Sequence, residues 1–383
     1  MKKIKTLLIF GTRPEAVKMA PLGLELMKYE EFDVKICVTA QHRSMLDQVL
    51  DIFGITPDFD LDIMKTSQTL SYITTSVLEG IDNVLKEHKP DIVLVHGDTT
   101  TTFASALAAF YNQIPVGHVE AGLRTGDIYS PFPEEMNRRL ASSICSLHFA
   151  PTAANRENLL KENVSKNVFV TGNTVIDALK TTVKSDYDYK SDELKTIEGF
   201  EGHIILLTAH RRENLGEPLQ NICSAVKKIA LEFPDCKVVY PVHLNPAVQN
   251  TARTILGKLQ NVILCDPLDV DDMHNLMARA YIVLTDSGGL QEEAPALGRP
   301  VLVLRNETER PEAVAAGTVR MAGIEEEHIY NLTKELLCNK AAYADMAHAV
   351  NPYGDGNACK RIAESLLYYF GSGEKPKDFE PMA

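Results

Sequence analysis

The amino-acid sequence predicts an α/β protein with two doubly wound, parallel-sheet domains and a ligand-binding cleft between them. The length of 383 residues indicates two domains, since single cores rarely grow past about 250–300 residues. Short apolar runs alternate with longer amphipathic segments along the chain, and polar residues directly follow many of these runs. In such folds ligands bind beyond the carboxyl ends of the strands, so those polar residues form the candidate site.

The apolar runs form two sets of predicted strands. The runs of the first half are Ile4–Phe10, Asp33–Thr39, Ile92–His96, Val116–Val119 and Leu147–Ala150. The runs of the second half are His203–Thr208, Lys237–Pro241, Val262–Leu264, Tyr281–Thr285 and Pro300–Leu304. Their continuous apolar character indicates parallel sheets covered by helices on both faces. The domain boundary is expected near Thr171–Thr174, ahead of the polar segment 180–202, and a last helix is expected within residues 355–370.

The composition is typical of a globular protein and argues against several other classes. The chain is 45% hydrophobic and 24% charged, and its net charge of −13 argues against a nucleic-acid partner. Its 7 cysteines stand singly, which suggests neither a disulfide framework nor a zinc site. No run approaches the roughly 20 apolar residues of a membrane helix. The short run before Gly11 resembles a first strand more than a signal peptide, so a cytoplasmic location is expected.

One candidate region resembles a phosphate site. The segment Thr285–Glu293 (TDSGGLQEE) follows a strand and opens a helix. Gly288 and Gly289 allow close approach of a ligand to a helix N-terminus, Ser287 adds a hydroxyl, and Glu293 can reach ribose hydroxyls. An ordinary strand-to-helix turn explains this segment about equally well when it is considered alone.

Three cations are also candidates for a diphosphate. Arg13 and Lys18 follow the first strand in a loop that lacks Gly-x-Gly-x-x-Gly, which argues against a nicotinamide cofactor. Arg310 follows the strand that ends at Leu304. A guanidinium can bind two phosphate oxygens at once. The alternative for Lys18 is a solvated helix residue.

Acid–base candidates follow neighbouring strands of the first half. The pairs His96/Asp98 and His118/Glu120 can hold a divalent metal, or they can place Asp98 and Glu120 for proton transfer. Asp98 can alternatively cap the next helix. Glu134 follows a Pro-Phe-Pro stretch, where a first-turn glutamate is also favoured by the helix dipole.

Two histidines are candidates in the second half. His210 lies in Thr208–Asn214 (TAHRREN), where the density of polar residues is hard to explain as core. His243 has a similar placement but a weaker signal, and a structural role is the usual one for a single histidine.

Taken together, these loops resemble those of the bacterial non-hydrolysing UDP-N-acetylglucosamine 2-epimerases. The matching segments are GTRPEAVKMAP (11–21), TAQHRSML (39–46), HGDTTTTFASALAA (96–109), HVEAGLRTGDIYSPFPEEMNR (118–138), TGNTVIDAL (171–179), HRRENLG (210–216), PVHLNP (241–246), TDSGGLQEEAPALGRPVLVLRNETERPEA (285–313) and GDGNACKRI (354–362). Each segment is weak by itself, but their collinear order over nearly the whole chain is specific.

The resemblance implies a glycosyltransferase-B-type fold of two Rossmann-like domains, with no cofactor and no metal. It implies an N-terminal domain of residues 1–172 plus a returning C-terminal helix, 359–383, and a C-terminal domain of residues 173–358. It also implies reversible conversion of UDP-N-acetylglucosamine to UDP-N-acetylmannosamine by anti elimination of UDP to 2-acetamidoglucal, followed by re-addition. Such enzymes supply surface-polysaccharide synthesis, and a homodimer is expected.

The resemblance also assigns roles by matching positions. It implies catalytic roles for Asp98, Glu120, Glu134 and His210. It implies substrate contacts for Arg13, Lys18, Ser287, Gly288, Gly289, Glu293 and Arg310.

A second UDP-N-acetylglucosamine activates bacterial members of the family, and the resemblance suggests Gln41 and His243 for this allosteric site. Ser44 and Ser67 stand where longer family side chains often occur, so we expect weaker or altered activation.

Three rival functions stay open at this point. A glycosyltransferase of the same fold would need an acceptor, whereas a hydrolysing epimerase would release N-acetylmannosamine and UDP. A nucleotide-sugar sensor would bind without turnover, but three candidate carboxylates exceed what binding a diphosphate sugar requires.

Overall fold

A computed structural model describes residues 2–40, 43–65 and 68–381. The chain forms two compact units, of which the first comprises Met1–Thr181 and Tyr353–Glu380 and the second is formed mainly by Thr182–Pro352. Each unit contains one parallel sheet with helices on its faces. The predicted α/β fold with two Rossmann-like, doubly wound domains is therefore confirmed.

The first unit contains a 7-stranded sheet with the order β3-β2-β1-β4-β5-β6-β7. Its strands are β1 Ile4–Phe10, β2 Phe32–Val38, β3 Phe59–Asp60, β4 Ile92–His96, β5 Val116–Val119, β6 Leu147–Ala150 and β7 Val168–Val170. All neighbouring strands pair in parallel. The strand order reverses between β1 and β4, which is where ligands of such sheets bind.

The second unit contains a 6-stranded sheet with the order β10-β9-β8-β11-β12-β13. Its strands are β8 Ile204–Thr208, β9 Lys237–Pro241, β10 Val262–Cys265, β11 Ile282–Thr285, β12 Val301–Val303 and β13 Val319–Met321. These strands also pair in parallel, and their order reverses between β8 and β11.

Helices connect the strands in both units. They are α1 Arg13–Leu26, α2 Arg43–Phe53, α3 Leu70–His88, α4 Thr100–Tyr111, α5 Glu134–Ile144, α6 Ala153–Lys161, α7 Thr174–Thr182, α8 Asp192–Lys195, α9 Glu217–Glu232, α10 Pro246–Leu256, α11 Val270–Arg279, α12 Leu290–Ala296, α13 Pro311–Ala316, α14 Glu326–Cys338, α15 Lys340–Ala347 and α16 Ala358–Tyr369. Within the described ranges, none of them combines the length and apolar character needed to cross a membrane.

The sheet interiors explain why the strands could be recognised. Every residue of β4, β5 and β8 is buried, as expected when helices cover both faces of a parallel sheet. Each predicted strand is present with its ends shifted by at most one residue. The sequence did not predict β3, β7 or β13, because segments of two or three residues carry too little pattern.

The junction between the units lies slightly beyond the expected boundary at residue 172. Helix α7 belongs to the first unit, together with the returning segment from Tyr353. The N–H of Asn173 donates to the carbonyl oxygen of Tyr353 (2.7 Å). The carboxylate of Asp177 accepts the N–H groups of Ala358 and Cys359, at 3.1 and 3.0 Å. These bonds tie α7 to the start of α16.

Candidate functional site

The loop after β1 is built around a buried carboxylate. Glu15 accepts the N–H groups of Gly11 (3.0 Å) and Thr12 (2.8 Å) at the start of α1. Its second oxygen accepts the hydroxyl of Thr99, at the start of α4 (2.7 Å). Glu15 therefore links the two loops at the reversal of strand order. It also orients the start of α1. Arg13 lies in the first turn of this helix and Lys18 lies in the next turn.

Glu120 lies at the centre of a polar cluster in the first unit. Its Oε2 atom accepts hydrogen bonds from Lys18 and from the Asn173 amide, the latter at 2.8 Å. Nε2 of His96 lies 3.6 Å from the same oxygen. The backbone of Glu120 is left-handed (φ 62°), which turns the chain directly after β5. The structure thus brings together Lys18 and Glu120, which were predicted as separate site residues.

The surroundings of Glu120 determine its ionisation. Burial alone would raise the pKa of this carboxyl, but the charge of Lys18 and the neighbouring His96 ring hold its pKa well below the usual value. Glu120 is therefore ionised at neutral pH. This is the state that a general base requires before it accepts a proton.

Asp98 follows β4 and is oriented by helix α5. Its carboxylate accepts a hydrogen bond from Nη2 of Arg138 (2.6 Å), and its carbonyl oxygen accepts the Asn137 amide (2.9 Å). The N-cap of α4 is Thr99, whose hydroxyl accepts the N–H of Thr102 (3.1 Å). Helix capping therefore does not account for Asp98.

Two adjacent glutamates open helix α5 and differ in their surroundings. Glu134 is half-buried in the first turn of the helix. Glu135 is fully buried, and it pairs with Arg138 (3.1 Å) and Arg139 (3.5 Å). Glu135 is thus part of the fold, whereas Glu134 stays a candidate for chemistry.

The histidines on β4, β5 and β6 do not follow the paired pattern expected from their spacing. Glu120 approaches His96 rather than His118, and His118 donates from Nε2 to the carbonyl oxygen of Gly97 (2.7 Å). Burial lowers the pKa of His118 to about 3 and that of His148 to about 4. Both rings are therefore neutral at neutral pH. Across the described ranges, no group of three or more His, Cys, Asp or Glu side chains is arranged to hold a metal ion.

In the second unit, Asp286 connects the loop after β8 to the loop after β11. Its Oδ2 atom accepts the N–H groups of His210 (2.7 Å) and Arg211 (2.8 Å), as well as the amide of Asn214 (3.0 Å). Asp286 is completely buried. The backbone around His210 is therefore fixed, while the residue itself is exposed.

His243 lies beside His210. Their rings stack with centroids 5.2 Å apart, and Nδ1 of His243 accepts the N–H of Asn245 (3.1 Å). The other residue suggested for an allosteric role, Gln41, lies outside the described residues, as does Ser67. Ser44 lies in the first turn of α2.

The predicted phosphate loop follows β11. Gly288 and Gly289 precede α12, and the Ser287 N–H donates to the Thr285 hydroxyl (2.9 Å). A Cβ atom at Gly288 would lie 3.9 Å from Nη2 of both Arg211 and Arg310. The two guanidinium groups therefore flank this loop. Arg310 also donates from Nε to Glu292, which is buried.

Glu293 is oriented from helix α11. Its Oε2 atom lies 3.4 Å from Nε2 of the buried His274, and Nδ1 of that ring lies 2.7 Å from the hydroxyl of Thr182. A Cβ atom at Gly289 would lie 3.2 Å from Glu293 Oε1, so a side chain there would crowd this carboxylate. The backbone of Gly289 is right-handed (φ −62°), so this contact, and not the backbone conformation, disfavours a side chain there.

Sequence reasoning missed the residues that position the predicted ones. They are Arg138, Asn173, Arg211, His274, Asp286 and Glu292. Arg211 and Asp286 stood inside segments already marked as polar, so a search for donors and acceptors within those segments would have included them. The contact of Asn173 with Glu120 spans 53 residues and had no local signal.

Comparisons with known proteins agree on one family. A family model described as UDP-N-acetylglucosamine 2-epimerase matches residues 24–367. UDP-N-acetylglucosamine 2-epimerase of Bacillus subtilis is 59% identical over 382 residues, which cover 99% of this chain and 99% of the relative.

Solved structures give the same result. The structure of UDP-GlcNAc 2-epimerase from Neisseria meningitidis bound to UDP-GlcNAc matches with a TM-score of 0.85 and 51% identity, covering 95% of this chain and 100% of the other. The structure of the Methanocaldococcus jannaschii enzyme in complex with UDP-GlcNAc and UDP matches with a TM-score of 0.77 and 34% identity, covering 95% and 99%.

Proposed function

Because the chain belongs to the UDP-N-acetylglucosamine 2-epimerase family, we propose that it interconverts UDP-N-acetylglucosamine and UDP-N-acetylmannosamine without net hydrolysis. The reaction inverts C2 of the sugar. In the forward direction a base removes the C2 proton while the C1–oxygen bond to UDP breaks, which gives 2-acetamidoglucal and UDP. An acid then returns a proton to the opposite face of C2 while a UDP oxygen attacks C1.

The second unit supplies the groups that suit UDP. Phosphate binding is supported by Ser287, the glycines at 288 and 289, and the flanking guanidinium groups of Arg211 and Arg310. Cations and N–H donors at this position stabilise the charge that develops on the departing diphosphate. Glu293, which His274 orients, is suited to accept hydrogen bonds from ribose hydroxyls.

The first unit supplies the acid–base groups. The C2 hydrogen is weakly acidic, so its removal must accompany the departure of UDP. Asp98, Glu120 and Glu134 all lie at or after the carboxyl ends of β4 and β5 or in the helix that follows. Inversion needs a proton acceptor on one face of C2 and a proton donor on the other. This requirement explains why the site contains more than one carboxylate. Lys18 adds positive charge beside Glu120, and Arg13 lies in the first turn of the same helix, α1. The same proposal gives His210 a role in proton exchange with the diphosphate.

The observation that carries this proposal is the cluster at Glu120. A buried carboxylate is kept ionised by Lys18 and His96 at the carboxyl end of a strand, where ligands of this fold class bind. Abstraction of a carbon-bound proton requires an unprotonated acceptor, which simple binding of a nucleotide sugar does not.

Proton NMR of UDP-N-acetylglucosamine incubated with the protein in deuterated water tests the proposal. We expect deuterium at C2 of both epimers and no accumulation of free UDP. Glu120→Gln should abolish the exchange, whereas Glu162→Gln, which alters an ion pair with Arg124 elsewhere in the same unit, should not. Free N-acetylmannosamine with UDP would instead show a hydrolysing epimerase. Binding without C2 exchange would show an acceptor-dependent glycosyltransferase or a sensor.

We also propose four further properties that are expected from the family. They are a homodimer, a cytoplasmic location, a role in supplying surface-polysaccharide synthesis, and a second UDP-N-acetylglucosamine that acts as an activator. Ser44 supports altered activation, because its side chain is shorter than those often found at this position. Rates with UDP-N-acetylmannosamine, measured with and without trace UDP-N-acetylglucosamine, test this point. Strong activation at micromolar levels would contradict it.

A further inference from the structure

We infer that Asp286 is a positioning residue that acts on the reaction through His210, by clamping the loop 209–214 to the end of β11. This inference rests on the proposed function, because it concerns how that site holds its histidine. Three N–H donors converge on one oxygen, since Oδ2 accepts from His210, Arg211 and Asn214 at 2.7, 2.8 and 3.0 Å. Two of these donors belong to the backbone, so the bonds fix the path of the chain at His210.

The clamp is anchored on both sides. The N–H of Asp286 donates to the carbonyl oxygen of Thr208 (3.1 Å), which extends the pairing of β8 with β11. The amide of Asn214 also donates to the carbonyl oxygen of Leu304 (3.0 Å), directly after β12. The hydroxyl of Tyr240, on β9, donates to the carbonyl oxygen of Ala209 (2.6 Å). Elements beside four neighbouring strands thus hold this loop.

The chemistry of the clamp explains why a carboxylate is suited to it. Bonds to a charged acceptor are shorter and about twice as strong as those to a neutral one. Asp286 is fully buried, and its other oxygen, Oδ1, has no hydrogen-bond partner in the described part of the chain. In the described part of the chain, the side chain of Asp286 therefore accepts hydrogen bonds only from the loop 209–214. Ser287 follows it immediately, so the same residue joins the histidine loop to the phosphate loop.

The substitution Asp286→Asn isolates the charge of this acceptor. The amide oxygen of asparagine can occupy the position of Oδ2, and its NH₂ group would occupy that of Oδ1, where no partner is lost. Asp272→Asn is a matched control. Asp272 is also buried in the second unit and accepts the Tyr187 hydroxyl (2.7 Å) and the N–H groups of Lys190 and Ser191 (3.0 Å each), away from the loop 209–214.

The first measurement does not depend on the enzymatic activity of the protein. Amide hydrogen exchange, followed by mass spectrometry on peptides covering residues 209–214, should become about tenfold faster in Asp286→Asn, and it should stay unchanged in Asp272→Asn. Unchanged exchange in Asp286→Asn would overturn the clamp, whether or not the protein proves to be an epimerase. Failure of the wild-type protein to incorporate deuterium at C2 would overturn the proposed function separately.

The second measurement tests action through His210. We expect Asp286→Asn to lower kcat for C2 exchange about tenfold, and to weaken UDP binding less than this, since the backbone of Arg211 is held by the same oxygen. In a His210→Ala background the same substitution should have almost no further effect on the residual rate, because residues that act as a unit are not additive. An equal loss in both backgrounds, or a loss of UDP affinity that matches the loss of kcat, would overturn the inference. Asn214→Ala should give the same pattern more weakly if Asp286→Asn does not fold.

Discussion

Arg138 donates a hydrogen bond from Nη2 to Oδ2 of Asp98 at 2.6 Å, and so joins helix α5 to the end of β4. Burial alone would lower the pKa of Arg138, but Asp98 and Glu135 beside it raise that pKa, so the guanidinium stays charged. Its Nη1 atom donates to Glu135 (3.1 Å), which is completely buried. One arginine therefore orients a candidate catalytic carboxylate and compensates a structural one.

Replacing Arg138 by glutamine should affect both stability and turnover. The buried Glu135 would lose one of its cationic partners, and breaking a buried ion pair costs about 3 kcal/mol of unfolding free energy. Asp98 would lose the group that fixes its carboxylate, so kcat for C2 exchange should fall about 100-fold. Urea denaturation and the NMR exchange assay measure the two effects.

Arg124→Gln provides a control for the stability effect alone. Arg124 is also largely buried in the first unit, but it bonds to Glu162 (2.7 Å) and to Ser142 (2.9 Å). We expect this variant to lose stability and to keep kcat within about twofold. A similar fall of kcat in both arginine variants would mean that destabilisation, rather than the orientation of Asp98, causes the loss.

The strands of the fold could be predicted because they are buried on both faces and are therefore continuously apolar. Such a run, as in Ile204–Thr208, lacks the polar face of an amphipathic helix. Strand β3 could not be predicted in the same way, because its two residues, Phe59 and Asp60, pair only at the sheet edge. Its existence depends on the register of β2 rather than on its own composition.

The sequence could predict that the candidate site residues lie in loops at the ends of strands, but not how their side chains contact one another. The polar residues after β4, β5, β8 and β11 lie in the loops at the carboxyl ends of these strands, as expected. The sequence could not distinguish Glu134 from Glu135, because both suit a first helical turn and only packing against Arg138 buries one of them. Nor could it show that Asp286 faces the loop of His210, since that contact joins positions 76 residues apart.

Lys18 should control the pH dependence of Glu120. The folded-state pKa of Glu120 is depressed, so its ionisation contributes stability that is fully present above about pH 4.5 and is lost as the pH falls through the lower folded value. Lys18→Met removes the main opposing charge and leaves burial, which raises the pKa. The acid limb of kcat/KM should therefore move to higher pH in this variant.

Lys28→Met, which removes an exposed ion pair with Glu25, is the control and should leave the pH profile of kcat/KM unchanged. An unshifted acid limb in Lys18→Met would show that Glu120 does not depend on this charge.

His148 should make the protein less stable in mild acid. Its folded-state pKa is lowered from 6.5 to about 4 by burial, so between these values the unfolded chain binds a proton that the folded chain does not. Stability therefore falls with falling pH, by up to about 1.4 kcal/mol per pH unit for one histidine. His148→Leu should flatten the curve of unfolding free energy between pH 6.5 and 4. Denaturant titrations at several pH values measure this slope, with the exposed His328→Gln as control. Parallel curves for wild type and His148→Leu would contradict the assignment.

The diphosphate of UDP, rather than its uridine, should bind between Arg211 and Arg310 at Gly288. A Cβ at this glycine would lie 3.9 Å from both guanidinium groups, an ordinary contact distance, so Gly288→Ala should keep its melting temperature. The added methyl group would nevertheless occupy the place where phosphate oxygens meet both cations. Calorimetry should show that UDP binds about tenfold more weakly, as expected when one hydrogen bond is lost, whereas uridine binds with unchanged affinity. Arg211→Gln should act in the same direction, and Arg253→Gln, an exposed arginine of the same unit, should not. Equal losses for UDP and uridine would place the uridine, rather than the diphosphate, beside Gly288.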